Sequence, residues 1–321
     1  PLGLMTGSHV TPIDHIYFQN FVAPERWIDV FAPADGVVVS MQRFSEVLDE
    51  QREAIDDYRL VIDHGCGVQS ILIHIDEVSD PLMAVAPPPG QYASMSVPVG
   101  AGEWIGRFTA NLDLTVVDES VRIEGLVLDS TYAVEPWKVH TPDPFAYFVD
   151  GVRSEMEALS LREFVPFAGT FAWDVDGRLV GNWFLEGTDG YGGTDQQRYW
   201  SGHLSFAYDH IDHSMVKVSI GTYEGVSQQF SVVGNGPDPA AITPDSGVVA
   251  FALSHPDYWV GDERWDRISH AKGIAARAGD DVVGTVLVEM LDDRTIRFEA
   301  FPGRDPTDVD GFTDAAEVFT R

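Results

Sequence analysis

The stretch LVIDHGCGVQSILIHI, Leu60–Ile75, reads as two β-strands joined by a glycine turn. Val61, Ile62, Ile71 and Ile73 crowd the two arms, and Gly65 and Gly67 punctuate the middle. That is the pattern of a hairpin rather than of a helix. His74 stands between Ile73 and Ile75, so strict alternation turns its imidazole to the face opposite them. Cys66 lies between the two glycines with Asp63 nearby, which reads as an inert thiol, and His64 reads as a turn residue.

The same grammar continues outward. DGVVVSMQRF (35–44), VRIEGLVL (121–128), MVKVSIGTY (215–223), GVVAFAL (247–253), DVVGTVLVEML (281–291) and TIRFEAF (295–301) are short apolar runs closed by Gly, Asp or Pro. Many short strands in one chain predict sandwiches or barrels rather than a doubly wound parallel sheet. Two segments carry helical spacing: 45–58, with Val47, Leu48, Ala54 and Ile55, and 151–164, with Met156, Leu159 and Phe164. The Pro-rich segment Met83–Gly100 reads as an extended surface loop, and Asp176-Gly177 as a hairpin turn. A boundary at residues 151–166 divides the chain into a β-domain over 1–155 and a second antiparallel β-barrel or sandwich over 156–321.

The chain has 321 residues, 44% hydrophobic and 11% aromatic, enough for two packed interiors. Its 20 Lys and Arg stand against 51 Asp and Glu, a formal net charge of −31. Such a surface has no basic stripe to release counterions from a phosphate backbone, which excludes nucleic acid as a partner. Anionic lipid is disfavoured on the same ground. The lysines are Lys138, Lys217 and Lys272 alone. This Asp-rich, Lys-poor balance maintains solubility by self-repulsion and points to a saline habitat. No apolar run is long enough to predict a membrane-spanning helix. A single cysteine forms no intrachain disulfide. The first residue is Pro1 rather than Met, which leaves open a removed leader or a trimmed start.

Several pieces, taken in order, resemble the lysostaphin-type zinc peptidoglycan endopeptidases. HVTPIDHIYF (His9–Phe18) is a His followed closely by an Asp and an apolar strand. VFAPADGVVVSM (Val30–Met41) is similar to the family's Ala-Pro-x-x-Gly-x-Val turn. Leu60–Ile75 is similar to its strand, glycine turn, and strand ending in a histidine. VPVGAGEWIG (Val97–Gly106) is similar to its next hairpin, and DPFAYF (Asp143–Phe148) to the Asp-Pro that closes the domain. Together they cover roughly residues 9–150.

The resemblance implies an antiparallel β-fold with a groove across one sheet. It also implies a zinc held by a His and an Asp of the first motif and by the last His of a His-x-His motif. Such a three-ligand site leaves one position for a water that the metal acidifies. Carried over residue by residue, Asp14 takes the Asp position. His9 precedes it by five residues rather than the family's four, and His15 is a neighbour that alternation aims away from Asp14. His74 takes the catalytic place after the glycine turn. The departure is NLDLTVVD (Asn111–Asp118), where the His-x-His strand falls. Leu112 and Leu114 align with the two histidines, and leucine neither binds zinc nor moves a proton. His140, in KVHTPDP, is the downstream histidine of this half. The resulting candidates are His74 as catalytic residue and His9, Asp14 and His140 as metal ligands, with zinc as the cofactor if one is held.

The leading functional reading is a degenerate, non-catalytic module that binds a cell-wall or other envelope polymer, in an extracellular or periplasmic setting. The rival is a zinc-dependent hydrolase with a rearranged metal shell. A third reading places a carbohydrate or small-molecule site in the second half, where Trp173, Trp183, Phe184, Tyr199 and Trp200 form either a core or a stacking surface. The cluster His203, Asp209, His210, Asp212 and His213 matches no ligand spacing, and its DHIDHS piece (209–214) reads as a polar turn between strands.

Overall fold

The computed structural model describes residues 1–44 and 56–321. The chain is mainly β and its strands pair antiparallel. It divides into two compact units. A sheet unit comprises His15–Arg122 and His140–Asp150; a barrel unit comprises Pro1–Asp14, Ile123–Val139 and Gly151–Arg321.

The sheet unit holds β1 (Ile16–Gln19), β2 (Ile28–Phe31), β3 (Gly36–Arg43), β4 (Tyr58–Asp63), β5 (Val68–Ile75), β6 (Glu77–Val78), β7 (Gln91–Val99), β8 (Trp104–Phe108) and β9 (Asn111–Asp118). A one-turn helix α1 (Asp80–Met83) follows β6. Six strands form one sheet in the order β1-β9-β5-β4-β3-β7, and β2-β8-β6 form a second. Leu60, Ile62, Ile75, Leu112 and Leu114 of the large sheet are buried, as are Val30, Val78, Ile105 and Phe108 of the small one. Each such side chain withdrawn from water contributes about 1.5–3 kcal/mol. The two sheets touch where β8 meets β5. A Cβ on Gly106 would stand 2.7 Å from Ile75 Cγ2 and 2.4 Å from the Glu77 carbonyl oxygen, so only glycine permits the approach.

The β4–β5 hairpin forms as the sequence predicts. The Pro-rich segment differs: Gln91–Val99 is the edge strand β7 rather than a loop. Its Pro98 sits opposite Val37; on an edge strand the missing N–H breaks no ladder bond. VRIEGLVL forms no strand, because its backbone bonds to irregular segments: Ile123 N–H donates to Val139 O at 2.9 Å, and Gly125 O accepts from Asp174 N–H at 2.8 Å.

The barrel unit holds β10 (Gly181–Leu185), β11 (His203–Tyr208), β12 (Val216–Tyr223), β13 (Val226–Val232), β14 (Val249–Ser254), β15 (Pro256–Val260), β16 (Glu263–Arg264), β17 (Ile274–Ala278), β18 (Gly284–Asp292), β19 (Thr295–Pro302) and β20 (Glu317–Thr320). Strands β10-β11-β12-β13-β14-β18-β19-β20 close into a barrel, and β16-β15-β17 form a small sheet inserted between β14 and β18. Eight strands leave an interior just wide enough for side chains to fill. Trp183, Phe206, Phe230, Phe251, Val286 and Phe298 belong to that packed core. Asp176-Gly177 makes a turn, with Arg178 N–H on Val175 O at 3.0 Å, but no strand precedes it.

Of the two helical segments, residues 45–55 of the first lie outside the described residues, and its last residue, Tyr58, opens β4. The second is α2 (Asp150–Leu159), which buries Met156 and exposes Leu159.

Candidate functional site

The strand that decides the site is β9. Leu112 and Leu114 are buried among the core side chains, at 6% and 3% exposure. Alternation therefore turns Asn111, Asp113 and Thr115 to the opposite face. Asp113 lies directly across from Tyr17 on β1 and Ile73 on β5. His15, two residues before Tyr17, shares that face. Its Nε2 is 3.1 Å from Asp113 Oδ2 and 2.9 Å from Tyr17 Oη. Asn111 Nδ2 donates to the other carboxylate oxygen, Asp113 Oδ1, at 3.0 Å.

His74 joins the same group through a break in alternation. On β4, Leu60 faces Leu72 and Tyr58 faces Ile75, so Ile73 and His74 together oppose Arg59. This bulge re-aims the side chain, and His74 takes the left-handed conformation at φ +70°. Its Nε2 stands 3.6 Å from Asp113 Oδ2, and its Nδ1 lies 2.8 Å from Asp57 Oδ2. Phe44 stacks near its ring, with centroids 6.5 Å apart. The result is a chain Asp57–His74–Asp113–His15–Tyr17. The His74 side chain is 40% exposed, while Asp113 and His15 are buried.

Carboxylates accept and do not donate, so a ring nitrogen that faces one serves as an N–H donor. Asp113 gathers two imidazoles, and His74 lies between two carboxylates. A ligand meets the exposed edge of His74 first, backed by two negative charges.

The other sequence candidates are held elsewhere. His9 and Asp14 belong to the barrel unit. His9 forms a tight backbone pair with Thr6, its N–H on Thr6 O at 2.8 Å. Asp14 Oδ2 lies 3.0 Å from Lys138 Nζ, which also pairs with Glu135 Oε2 at 2.9 Å and sits over the Tyr191 ring. Burial opposes the Lys138 charge, but Asp14, Tyr191 and Glu135 outweigh it and hold the ammonium well above its ordinary pKa. His140, in the sheet unit, has Nδ1 2.7 Å from Val121 O and donates to it. His64 is the turn residue expected, bonded to Asp35 O and Ser70 Oγ, and Cys66 is exposed. Among the described residues, no group of three or more His, Cys, Asp or Glu side chains is placed to hold a metal ion.

The barrel unit carries its own polar centres. The 209–215 segment links β11 to β12 as the polar turn predicted. Asp209 is buried there and accepts from the backbone N–H groups of Ile211 and Asp212, with the Tyr258 hydroxyl on its other oxygen. Burial pushes its carboxyl up, but His210, Lys217 and these donors bring it well below the ordinary range. Asp212 Oδ2 accepts from Ala276 N–H at 2.9 Å and ties the small sheet to this turn. These carboxylates satisfy backbone donors and secure loops to the barrel. A shallow cavity of about 190 Å³ lies beside them, lined by Glu163, Phe164 and Ile211 among others.

Of this cluster the sequence singles out His74 and, for a rearranged metal shell, His15, but neither Asp57 nor Asp113. The signal for Asp113 is in the sequence: N-L-D-L-T alternates polar with apolar, which marks the leucines as the core face. Comparison with known proteins finds no family model that matches the chain, no similar curated protein and no similar solved structure.

Proposed function

We propose that the chain is a non-hydrolytic recognition module, and that the face carrying Asp57, His74, Asp113 and His15 holds a polymer of the cell envelope. One observation carries this reading. Where the resemblance to zinc endopeptidases calls for imidazoles, β9 buries Leu112 and Leu114 and turns the Asp113 carboxylate to the other face, 3.1 Å from His15 Nε2 and 3.6 Å from His74 Nε2. His15 Nε2 donates to it, and among the described residues no group of three or more His, Cys, Asp or Glu side chains is placed to hold a metal ion. This departure supports a reading without the zinc of that family.

The face selects ligand chemistry by charge. Asp57 and Asp113 flank the exposed imidazole, and the chain carries a net charge of −31. Both favour amines and amide N–H groups over phosphates and carboxylates. Stem peptides and amino-bearing polymers of an envelope offer those groups.

The test is zinc titration by calorimetry, with total metal analysis of protein purified without chelator. The reading expects less than 0.1 equivalent of retained zinc and no saturable site with Kd tighter than about 10 μM, on the scale that ordinary metal centres far exceed. One equivalent of zinc that is lost in His74→Ala would overturn it in favour of the rearranged hydrolase.

A further inference from the structure

We infer that the outer face of the β2-β8-β6 sheet is a second binding site, built for a neutral glycan chain. The inner face of this sheet is buried through Val30, Val78, Ile105 and Phe108. The outer face carries aromatic rings instead. Trp27 is 45% exposed and Phe31 is 52% exposed. Trp104, half-buried, lies directly across from Phe31.

Between these rings runs an ordered row of charge. Asp29 pairs across the sheet with Arg107, and Arg107 with Glu77. Arg107 binds Glu77 Oε2 at 2.5 Å, and its guanidinium lies 4.2 Å from the centre of the Trp27 ring. Trp104 Nε1 donates to Asp29 Oδ1 at 2.9 Å. Each charged group is oriented by a neighbour, and Trp104 and Trp27 each have a polar partner in the row. The surface is therefore preorganised rather than a loose apolar patch.

The chemistry of the row selects the occupant. A pyranose has an apolar C–H face, which is attracted to the negative face of an indole. Its hydroxyl rim both donates and accepts, which matches carboxylates and a guanidinium set side by side. An apolar protein partner would bury Asp29, Arg107 and Glu77 away from water at a cost that this row does not recover. A second copy of the chain would bring another −31 charges against the first. A polyanion meets the same repulsion, and the apolar C–H face with its hydroxyl rim is what the rings and the row match. This inference stands apart from the proposal for the face that carries Asp113: it uses other residues on another sheet, and either can fail alone.

The test is native affinity electrophoresis of the full chain through gels containing neutral polysaccharide: β-1,4-glucan, β-1,3-glucan, soluble chitin and mannan in turn. The strongly anionic chain runs fast in a blank gel, so retardation is easily read. At least one of these gels is expected to retard the wild-type chain. Trp27→Ala and Phe31→Ser, both at exposed positions, are expected to weaken the retardation at least ten-fold. Tyr92→Ser, an exposed aromatic on the edge strand β7, is expected to behave as wild type. Absence of retardation in all four gels would overturn the inference. So would equal retardation of Trp27→Ala, or a dimer in sedimentation that Trp27→Ala abolishes.

Discussion

His74 Nδ1 lies 2.8 Å from Asp57 Oδ2, although one residue stands near the end of a hairpin strand and the other just before its partner begins. The contact depends on the bulge that sets Ile73 and His74 together against Arg59. Without it the imidazole would follow the alternation of β5. The bulge is thus the device that brings a strand histidine to the carboxylate chain.

The backbone at that point makes a first prediction. A side chain at φ +70° costs about 1 kcal/mol or more, and glycine escapes the cost. His74→Gly is expected to be more stable than His74→Ala by about 1 kcal/mol, the reverse of the order in a regular strand. Urea unfolding of the two variants measures it. An alanine variant equal to or more stable than the glycine variant contradicts the bulge geometry.

A second prediction concerns the leucines of β9. Placing the histidine that the motif calls for, by Leu114→His, puts an imidazole into the core rather than onto the face that carries Asp113. The variant is expected to lose roughly 3 kcal/mol of stability and to gain no zinc affinity. A variant of near wild-type stability that takes up zinc would show that Leu114 shares the face of Asp113.

These two residues show how much was legible. The hairpin at Gly65–Gly67 and the antiparallel β-class, with a barrel or sandwich in the second half, follow from local composition, because β-branched runs and glycine turns act over a few residues. The site followed only in part. Asn111, Asp113 and Thr115 alternate with Leu112, Leu114 and Val116, so the polar face was written in the chain; matching the strand to a histidine motif drew attention to the leucines instead. The bulge at His74 was not legible, since it depends on register with β4. Asp57 lay at the end of a segment with helical spacing, where a carboxylate reads as a solvated face. Val121–Leu128 has strand composition but finds its backbone partners in irregular segments far along the chain, which no local pattern announces.

A third prediction concerns Asp113 itself. Asp113→Leu removes the acceptor that His15 faces at 3.1 Å and leaves the His15 ring buried without it. The expected cost is about 2 kcal/mol, read from the urea midpoint at unchanged slope. A change below about 0.5 kcal/mol, the range of ordinary surface substitutions, would show that the carboxylate does not organise the pair.

A fourth prediction follows from the barrel unit. His203 is buried; its Nε2 donates to Tyr191 O at 3.0 Å, and its Nδ1 finds no hydrogen-bond partner among the described residues. Burial lowers its pKa from 6.5 to about 4. Between those values the unfolded chain takes up a proton that the folded chain refuses. The stability linked to His203 is therefore complete above pH 6.5 and is lost as pH falls toward 4. The apolar variant His203→Phe lacks this term. The difference in unfolding free energy, wild type minus variant, is expected to fall by roughly 3 kcal/mol from pH 7 to pH 4. A difference independent of pH contradicts the buried neutral imidazole.

The most direct test of the central claim is incubation with insoluble envelope polymer, with and without added zinc, followed by sedimentation and a count of new amino termini in the supernatant. The account predicts that the wild-type chain pellets with the polymer, that Asp113→Leu does not, and that no amino termini appear under either condition. Zinc-dependent release of amino termini by the wild-type chain, abolished in His74→Ala, would contradict it.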